Sequence, residues 1–359
     1  MSSNITKSEA LKPVNLKGLA EHLGLSPATI SLVLNDAPGA KSISVTTRQR
    51  VLEAAKKFNY RPNPIARSLR MRHSYTVGVI VPEFSEGYFT MLMNGIEEYL
   101  LQSGYLHFVV SHQGKKDLID EYPGLLTQRS VDGFLLVNTS LNQKVSAPVV
   151  SISGHRIMKG VTNVQMDHDR AALLALKHLY DLGHRRIAFM KGQPHALDSE
   201  SRWDGILAMA REVGLTMDEK LCVYLNVNSW SPELGYPIIG DLLSRTRDFT
   251  AVFCFNDIAA IGAIRAIADC GLRCPQDVSI IGFDDIASAA YHVPRLTTVR
   301  QPLRRMGEVA VQILLKRIES PEEPYPDTVM FQPELIVRES TGPAPKHAAV
   351  QRPKAKARS

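Results

Sequence analysis

The sequence has little of what a membrane or secreted protein needs. No apolar run in its 359 residues approaches the roughly 20 residues that a bilayer-spanning helix requires. Residues 1–13 are polar and lack the apolar core of a secretory signal. We therefore expect a soluble protein that works in the cytoplasm.

Catalytic and metal-binding motifs are equally scarce. The chain has four cysteines, of which only Cys270 and Cys274 are close together, and no histidine stands near that pair. A zinc site or disulfide framework is disfavoured, and Cys222 and Cys254 are likewise expected to be buried thiols. No nucleophile stands beside a base, no phosphate-binding loop occurs, and the acidic pair 284–285 should point apart at a strand end. The sequence therefore predicts a protein that is not an enzyme and needs no cofactor or metal.

Acidic residues are scarce at both ends of the chain. Residues 1–72 hold 12 Lys and Arg against 4 Asp and Glu, and residues 346–359 hold 5 against none. The middle, residues 73–345, is acidic, with 25 Lys and Arg against 32 Asp and Glu. This asymmetry is typical of a chain whose N-terminal part contacts a polyanion while the rest has another task.

The basic N-terminal part carries helix signals at short intervals. Asn15 is a suitable N-cap for a first helix that Gly24 ends, and Ser26 with Pro27 starts a second helix almost at once. So short a connection is typical of a helix-turn-helix. A third helix is expected to begin after Thr47. Four of its side chains should pack against the first two helices: Val51, Leu52, Ala55 and Phe58.

Beyond Tyr75 the pattern changes to short apolar strands that alternate with amphipathic helices. The expected strands are Val77–Val81, Phe108–Ser111, Gly133–Val137, Val149–Ile152, Ile187–Met190, Val252–Phe255 and Ser279–Phe283. Such alternation predicts doubly wound parallel sheets, with ligands bound beyond the carboxyl ends of the strands. The expected divisions are a flexible N-terminus (1–13), a helix-turn-helix domain (14–61), a hinge (62–74), a two-lobed effector-binding and dimerisation domain (75–342) and a disordered basic tail (343–359).

Two stretches resemble the head and hinge of the lactose repressor family: LAEHLGLSPATISLVLN at residues 19–35 and NYRPNPIARSL at residues 59–69. The second is similar to the purine repressor branch in its ARSL, residues 66–69. The likeness continues to about Arg338 through motifs such as LGHRRIA at residues 182–188. It implies a small all-α helix-turn-helix head followed by an α/β two-lobed sensor domain like a periplasmic binding protein.

The resemblance implies that the second helix lies in the major groove of DNA. Four polar residues match the family's phosphate-contacting positions: Ser26, Thr29, Ser31 and Asn35. The base-reading positions would be Pro27, Ala28 and Leu32. Here the chain departs from the family, whose members often have polar residues at these positions and commonly arginine at that of Leu32. Apolar side chains reach thymine methyl groups but make no bidentate hydrogen bonds, so direct readout should be weak or shifted toward A·T content.

By the same resemblance, residues 64–69 form a hinge helix only in the dimer on DNA. Asn63 would cap this helix, and Leu69 would be wedged into the minor groove, where it kinks the duplex. Further hinge contacts to DNA would come from Ala66, Arg67 and Arg70. The loop 36–42, with Pro38-Gly39 as an exposed turn, is longer than the family's usual connection, so no phosphate contact is carried over to it.

The resemblance also implies an effector site between two lobes. Arg202, Asn256 and Asp284 occupy the family's effector-contacting positions, and Asp284 with Arg202 would clamp a ligand from opposite sides. The alternative is that Asp284 caps a helix and Arg202 pairs with a surface carboxylate. Further contacts are expected from an aromatic residue that packs on the ligand and from residues after the first sensor strand: Trp230, Ser85, Tyr88 and Phe89.

Together these features predict a transcription regulator, most simply a repressor, that binds a pseudo-palindromic operator as a homodimer. Its effector is expected to be a carbohydrate that releases the protein from DNA, with a purine or a sugar phosphate as open alternatives. The tail after Pro343 has no leucine heptads for a tetramerising coiled coil. The N-terminal head disfavours a periplasmic binding protein, whereas a ligand-blind architectural DNA-binding protein stays open because the base-reading positions are apolar.

Overall fold

The computed structural model describes residues 14–35, 37–60, 73–84, 87–154, 158–193, 197–225 and 234–346. The chain divides into two compact units, an N-terminal head that ends at Ser74 and a larger sensor domain that starts at Tyr75. None of the helices formed by the described residues combines the length and the apolarity of a membrane span.

The described part of the head forms α1 (Leu16–Leu23), α2 (Pro27–Leu34), a 3-10 turn (Pro38–Ser42) and α3 (Val45–Lys57). The predicted ends of α1 are confirmed, because Asn15 Oδ1 accepts a hydrogen bond from the Gly18 N–H at 2.9 Å and Gly24 has a φ of 64°. The start of α3 was expected after Thr47 and lies earlier. Ser44 Oγ accepts from the Thr47 N–H at 3.2 Å and caps the helix there.

A small apolar core holds the head together. Leu19, Ile30 and Val51 are fully buried, one from each helix. The prediction that Leu52 packs against the first two helices is wrong, because its side chain is 54% exposed. With 3.6 residues per turn, the buried face of α3 continues from Val51 to Ala54 and leaves Leu52 on the outer side.

The first lobe of the sensor domain is a parallel sheet covered by helices. Its strands are β1 (Thr76–Val81), β2 (Leu106–Ser111), β3 (Gly133–Val137), β4 (Val149–Ile152), β5 (Thr162–Met166) and β11 (Thr328–Phe331). They lie in the order β11-β5-β4-β3-β1-β2, with every neighbouring pair parallel. Its helices are α4 (Tyr88–Gln102), α5 (Lys116–Gln128) and α11 (Leu303–Glu319). β3 and β4 are buried throughout because apolar clusters pack on the sheet.

The second lobe has the same design. Its strands are β6 (Ile187–Lys191), β7 (Cys222–Tyr224), β8 (Ala251–Phe253), β9 (Ser279–Asp284), β10 (Thr297–Arg300) and β12 (Glu334–Ile336). They lie in the order β12-β10-β9-β8-β6-β7, and β12 runs antiparallel to β10 while the other pairs are parallel. Its helices are α6 (His168–Asp181), α7 (Leu197–Val213), α8 (Gly235–Arg245), α9 (Asp257–Asp269) and α10 (Ala287–Tyr291).

The predicted fold class, an all-α head and a two-lobed sensor with doubly wound sheets, is confirmed. All predicted strands occur, with ends shifted by no more than two residues. The pattern missed β5, β7, β10, β11 and β12, which are short or alternate buried with half-buried residues.

Two smaller expectations need correction. The tail was expected to be disordered from Pro343, but the Ala344 N–H donates to the Leu182 carbonyl at 2.8 Å, so the ordered chain extends past that boundary. The cysteines are free thiols, of which Cys254 is buried and the other three are only half-buried.

Candidate DNA-binding and effector sites

The start of α2 is capped and open to solvent. Ser26 Oγ accepts from the Thr29 N–H at 3.0 Å, so the predicted N-cap is confirmed, and the two hydroxyls lie 2.8 Å apart. Pro27 takes the first helical position, where its missing N–H costs nothing. Ser26, Pro27 and Ala28 are exposed. A helix start exposed in this way suits contact with a phosphate, since its dipole is positive at that end.

The C-terminal end of α2 forms side-chain hydrogen bonds within the helix and packs against the 3-10 turn. Asn35 Nδ2 donates to the Ser31 carbonyl at 2.7 Å and to the Ser31 hydroxyl at 3.3 Å. Leu32 is half-buried and lies against Gly39, where a β-carbon would stand 3.3 Å from Leu32 Cδ2. Pro38 and Gly39 are exposed, as expected for this loop, which forms a compact 3-10 turn with Ala40 buried and Leu32 packed against Gly39.

In the sensor domain, Tyr88 begins α4 and reaches the carboxyl end of β4. Its O–H donates to the Ser153 hydroxyl at 2.8 Å. The ring meets Phe89 edge-on at 5.0 Å between centroids, and Phe89 is buried in the first-lobe core. Burial raises the pKa of Tyr88, and the carboxyl groups of Asp198 and Asp284 act in the same direction. Tyr88 therefore lies close to acidic side chains of the second lobe.

Arg202, on α7, is buried in a tight set of contacts. Its Nη2 pairs with Asp198 Oδ2 at 2.7 Å, and Nη1 donates to the Phe255 carbonyl. The guanidinium also lies 4.3 Å from the Phe255 ring centroid and 3.9 Å from that of Phe283. The alternative that Arg202 pairs with a surface carboxylate is wrong, because Asp198 is only 6% exposed.

Asp284, the last residue of β9, is buried and has a positive φ of 115°. One of its carboxyl oxygens accepts from Gln301 Nε2 at 2.6 Å. Burial raises the pKa of Asp284 to about 7, although the Arg202 charge and the Gln301 hydrogen bond oppose this rise. The alternative that Asp284 caps a helix is wrong, because the N-cap of α10 is Ile286.

Asn256 and Asp257, at the start of α9 in the second lobe, accept hydrogen bonds that cap this helix and connect it to neighbouring elements. Asn256 Oδ1 accepts from the Ala259 N–H at 2.9 Å and caps α9. Asp257 is fully buried and accepts from the Thr298 hydroxyl at 2.6 Å and from the Ile286 N–H at 2.9 Å. Burial raises the pKa of Asp257 well above its usual range. Asp257 thus ties α9 to β10 and to the segment before α10.

A hydrogen bond joins the two lobes beside Arg202. Asn138, directly after β3 in the first lobe, donates through Nδ2 to Asp198 Oδ1 of the second lobe at 3.3 Å. We call Tyr88, Asn138, Asp198, Arg202 and Asp284 the cleft cluster. Across the part of the chain that the structure describes, no group of His, Cys, Asp and Glu side chains could hold a metal ion.

Comparison with known proteins places both units in one family. A model of the bacterial regulatory proteins of the lacI family matches residues 15–63, and a model of a periplasmic binding protein-like domain matches residues 176–341. The transcriptional repressor PurR of Haemophilus influenzae is 32% identical over 334 residues, which cover 90% of this chain and 98% of that protein. The chain belongs to the lacI family of bacterial regulatory proteins.

Solved structures of the lacI family have the same fold. The lac repressor dimer bound to operator and the anti-inducer ONPF superposes with a TM-score of 0.80 at 25% identity, covering 92% of this chain and 100% of that one. A lacI family regulator of Enterococcus faecium with bound ribose has a TM-score of 0.67 at 29% identity, covering 75% and 99%. The resemblance drawn from the head and hinge motifs, including the likeness to purine repressors, is therefore confirmed.

The predicted site residues of this lacI-family chain fall into three groups. Of the effector positions, Tyr88, Arg202 and Asp284 join the cleft cluster, whereas Asn256 caps α9 and Phe89 packs in the first-lobe core. The predicted positions on α2 are described above. The remaining predicted residues lie outside the described part of the chain: Asn63, Ala66, Arg67, Leu69, Arg70, Ser85 and Trp230.

Three functional candidates were missed in the sequence. Asp198 stands four residues before Arg202, a spacing that puts both side chains on one helix face. This spacing could have identified Asp198 as the partner of Arg202. Asn138 gives a weaker signal, a polar residue directly after a buried strand. Gln301 had no local signal, because its contact with Asp284 depends on how the chain leaves β10.

Proposed function

We propose that this lacI-family member is a repressor of transcription that binds a pseudo-palindromic operator as a homodimer and is released by a carbohydrate. The observation that carries the proposal is the combination, in one chain, of an exposed helix start capped by Ser26 with a polar cleft cluster in which Asp198, Arg202 and Asp284 are buried. A ligand in the cleft contacts both lobes, so it favours one arrangement of the sensor over another. The difference in the ligand's binding free energy between the two arrangements is the free energy available to weaken DNA binding.

The proposed DNA contacts are divided between phosphates and bases. Ser26, Thr29, Ser31 and Asn35 would hydrogen-bond phosphates, while Pro27, Ala28 and Leu32 would face the base edges. Exposure of residues 26–28 supports this assignment. Leu32 has less free surface because it packs on Gly39, so we expect it to contribute less to base reading than its position alone predicts. A homodimer supplies two such helices for two half-sites, and a lac repressor relative binds its operator as a dimer.

The hinge assignments rest on sequence alone. Asn63 would cap a hinge helix, Ala66, Arg67 and Arg70 would contact DNA, and Leu69 would enter the minor groove at the operator centre. We expect Leu69→Ala to weaken operator binding and to reduce DNA bending in a circular-permutation gel assay. Leu52→Ala removes an exposed leucine from α3 of the same head and serves as the matched control. Equal bending by Leu69→Ala and wild type would eliminate the wedge.

The effector assignment rests on the cleft cluster. Arg202 and Asp284 come from different elements of the second lobe, and from the first lobe Asn138 donates a hydrogen bond to Asp198. The pKa of Tyr88, also in the first lobe, is influenced by the charges of Asp198, Asp284 and Arg202. Ser85 and Trp230 remain proposed contacts from the resemblance. The ribose-bound relative from Enterococcus faecium supports a sugar. A purine corepressor is the second candidate, favoured by the 32% identity with PurR over 90% of this chain.

This function requires no catalysis and no cofactor. Regulation of transcription would place the protein on chromosomal DNA in the cytoplasm. The basic tail adds positive charge that we expect to strengthen non-specific attraction to DNA.

Selection of bound sequences from a random duplex pool tests the proposal. We expect a palindrome that the protein binds ~10³-fold or more tightly than a scrambled duplex, measured by fluorescence anisotropy across a salt series. Addition of sugars should then lower operator affinity, whereas a purine that raises it would favour the corepressor alternative. Absence of a motif, with one affinity and one salt slope for both duplexes, would instead support a ligand-blind architectural protein.

A further inference from the structure

We propose that the cleft cluster accepts a neutral polyhydroxylated ligand and rejects the phosphate ester of the same ligand. The inference rests on the proposed effector-controlled function and concerns the charge of the effector. It is carried by Asp198, which pairs with the guanidinium of Arg202, and by Asn138, which donates a hydrogen bond to Asp198.

The charge of the cluster opposes an anion. Arg202 brings one positive charge, while Asp198 and Asp284 bring two carboxyl groups, and all three are at least nine-tenths buried. The Asp198–Arg202 pair is neutral as a unit, so Asp284 is the remaining ionisable charge among these three. A phosphate monoester carries about −1.5 to −2 at neutral pH. In a site with little water, its repulsion from carboxyl groups is much stronger than at the protein surface.

The donors that a phosphate would use on Arg202 are already engaged. A guanidinium binds phosphate best through two parallel N–H groups. Here Nη2 donates to Asp198 at 2.7 Å and Nη1 to the Phe255 carbonyl, while the Phe255 and Phe283 rings pack on the guanidinium. A phosphate could form a two-point contact with the Nη groups of Arg202 only by displacing Asp198 and the Phe255 carbonyl, at the cost of a buried ion pair.

The unused hydrogen-bonding capacity of the cluster matches hydroxyl groups. Asn138 turns its amide nitrogen to Asp198, so its Oδ1 faces away, and among the described residues this buried oxygen has no hydrogen-bond partner. Arg202 Nε is likewise buried without a partner among them. A hydroxyl both donates and accepts, so a polyol can donate to Asn138 and the carboxyl groups and accept from Nε. An ionised phosphate oxygen only accepts, and it would satisfy Nε alone.

The test compares neutral sugars with their phosphate esters on the full-length chain. Thermal shift at pH 7.5 and constant ionic strength, followed by calorimetry, would use ribose with ribose 5-phosphate, glucose with glucose 6-phosphate, cellobiose, guanine and inorganic phosphate. We expect at least one neutral sugar to bind, and its ester to bind at least about thirtyfold more weakly, consistent with repulsion of a buried like charge. Inorganic phosphate should give no shift. An ester, guanine or inorganic phosphate that binds as tightly as the best neutral sugar would overturn the inference.

Variants connect the result to the cluster. Asp198→Asn should weaken binding of the neutral sugar about tenfold or more and narrow its advantage over the ester, because a charged acceptor is lost. Asp269→Asn removes the carboxylate of an exposed pair with the same four-residue spacing, Arg265–Asp269, and should change neither value. If Asp198→Asn does not fold, Asp284→Asn supplies the same comparison. Unchanged discrimination in the folded variant would contradict the role of these carboxyl groups.

Operator binding separates failure of the inference from failure of the proposed function. If no compound binds while the operator palindrome is still recognised, the inference fails and the DNA-binding function stands. If neutral sugars bind as expected while no operator is recognised, the charge selectivity stands and the repressor function fails.

Discussion

Gly95, on α4, marks the place where two helices of the first lobe touch backbone to backbone. A β-carbon on residue 95 would stand 2.8 Å from the Arg304 carbonyl carbon and closer still to its oxygen. Carbon atoms in contact lie about 3.5–4.0 Å apart, so Gly95→Ala requires α4 and α11 to separate by roughly 1 Å. No side-chain rotation relieves the clash, because the opposing atoms belong to the main chain of Arg304.

The cost of this substitution follows from two opposing effects. Overpacking a close-packed interior costs about 1–3 kcal/mol, and a clash with rigid backbone belongs at the upper end of that range. Alanine recovers about 1 kcal/mol through its higher helix propensity. We therefore expect Gly95→Ala to lower the free energy of unfolding by about 2 kcal/mol, measured by urea denaturation. The lost contacts would include those of the buried Leu92 and Met306.

The same separation should weaken the response to ligand. Tyr88 begins α4, and Gln301, which donates a hydrogen bond to Asp284, lies two residues before the start of α11 at Leu303. Moving α4 away from α11 therefore shifts Tyr88 relative to Asp284. Gly240→Ala, in α8, is the matched control because nothing lies within 4 Å of its β-carbon, and it should be neutral or slightly stabilising. A Gly95→Ala variant within about 0.5 kcal/mol of wild type, the usual range of neutral surface changes, would refute the reasoning.

Three further outcomes follow from single contacts. Ser26→Ala removes the cap of α2 and should lower the free energy of unfolding by about 1 kcal/mol and also the operator affinity measured by anisotropy. Ser44→Ala removes the cap of α3 and should lower the free energy of unfolding by a similar amount while reducing operator affinity less. Equal losses of affinity in the two variants would contradict the assignment of α2 to DNA. Thr298→Val leaves the buried Asp257 short of one donor and should cost about 1–3 kcal/mol in urea unfolding, whereas an unchanged midpoint would mean that the 2.6 Å hydrogen bond contributes little. Burial raises the pKa of Asp284 from its ordinary value of 3.8 to about 7, so the folded chain binds this proton more tightly than the unfolded chain does. The free energy of unfolding of the wild type should fall as pH rises from about 4 to about 7, by at most about 4 kcal/mol. Asp284→Asn lacks this titrating group, so its stability should increase relative to wild type over the same pH range. If the difference in free energy of unfolding between the two proteins stays constant with pH, the raised pKa is contradicted.

Local signals were sufficient for the head and for the strand-rich core of the sensor. Asn15, Gly24 and Ser26 mark helix ends through hydrogen bonds within three or four residues, so composition and spacing predicted them. Leu52 failed because the pattern alone did not decide which of two neighbouring residues turns inward. That choice depends on the angle at which α3 packs on α1 and α2.

The short strands at the sheet edges illustrate the same limit. β7 and β12 are three residues long, and β5 alternates buried with half-buried positions, so none forms the continuous apolar run that identified β3 or β4. They become strands because a neighbouring strand offers hydrogen bonds, a condition that the local sequence does not contain.

The sequence by itself determined the class of the protein: a basic, capped helix-turn-helix, a strand–helix alternation for the sensor, and polar residues at strand ends for a ligand. These are properties of residues close together along the chain, where spacing and propensity act directly. Only the tertiary structure decided the partners in the cleft. Asn138 and Asp198 are 60 residues apart in sequence, and Gln301 reaches Asp284 only after the chain leaves β10. Hydrogen bonds and ion pairs depend on distances in space, and the folding of two separate sheets sets those distances.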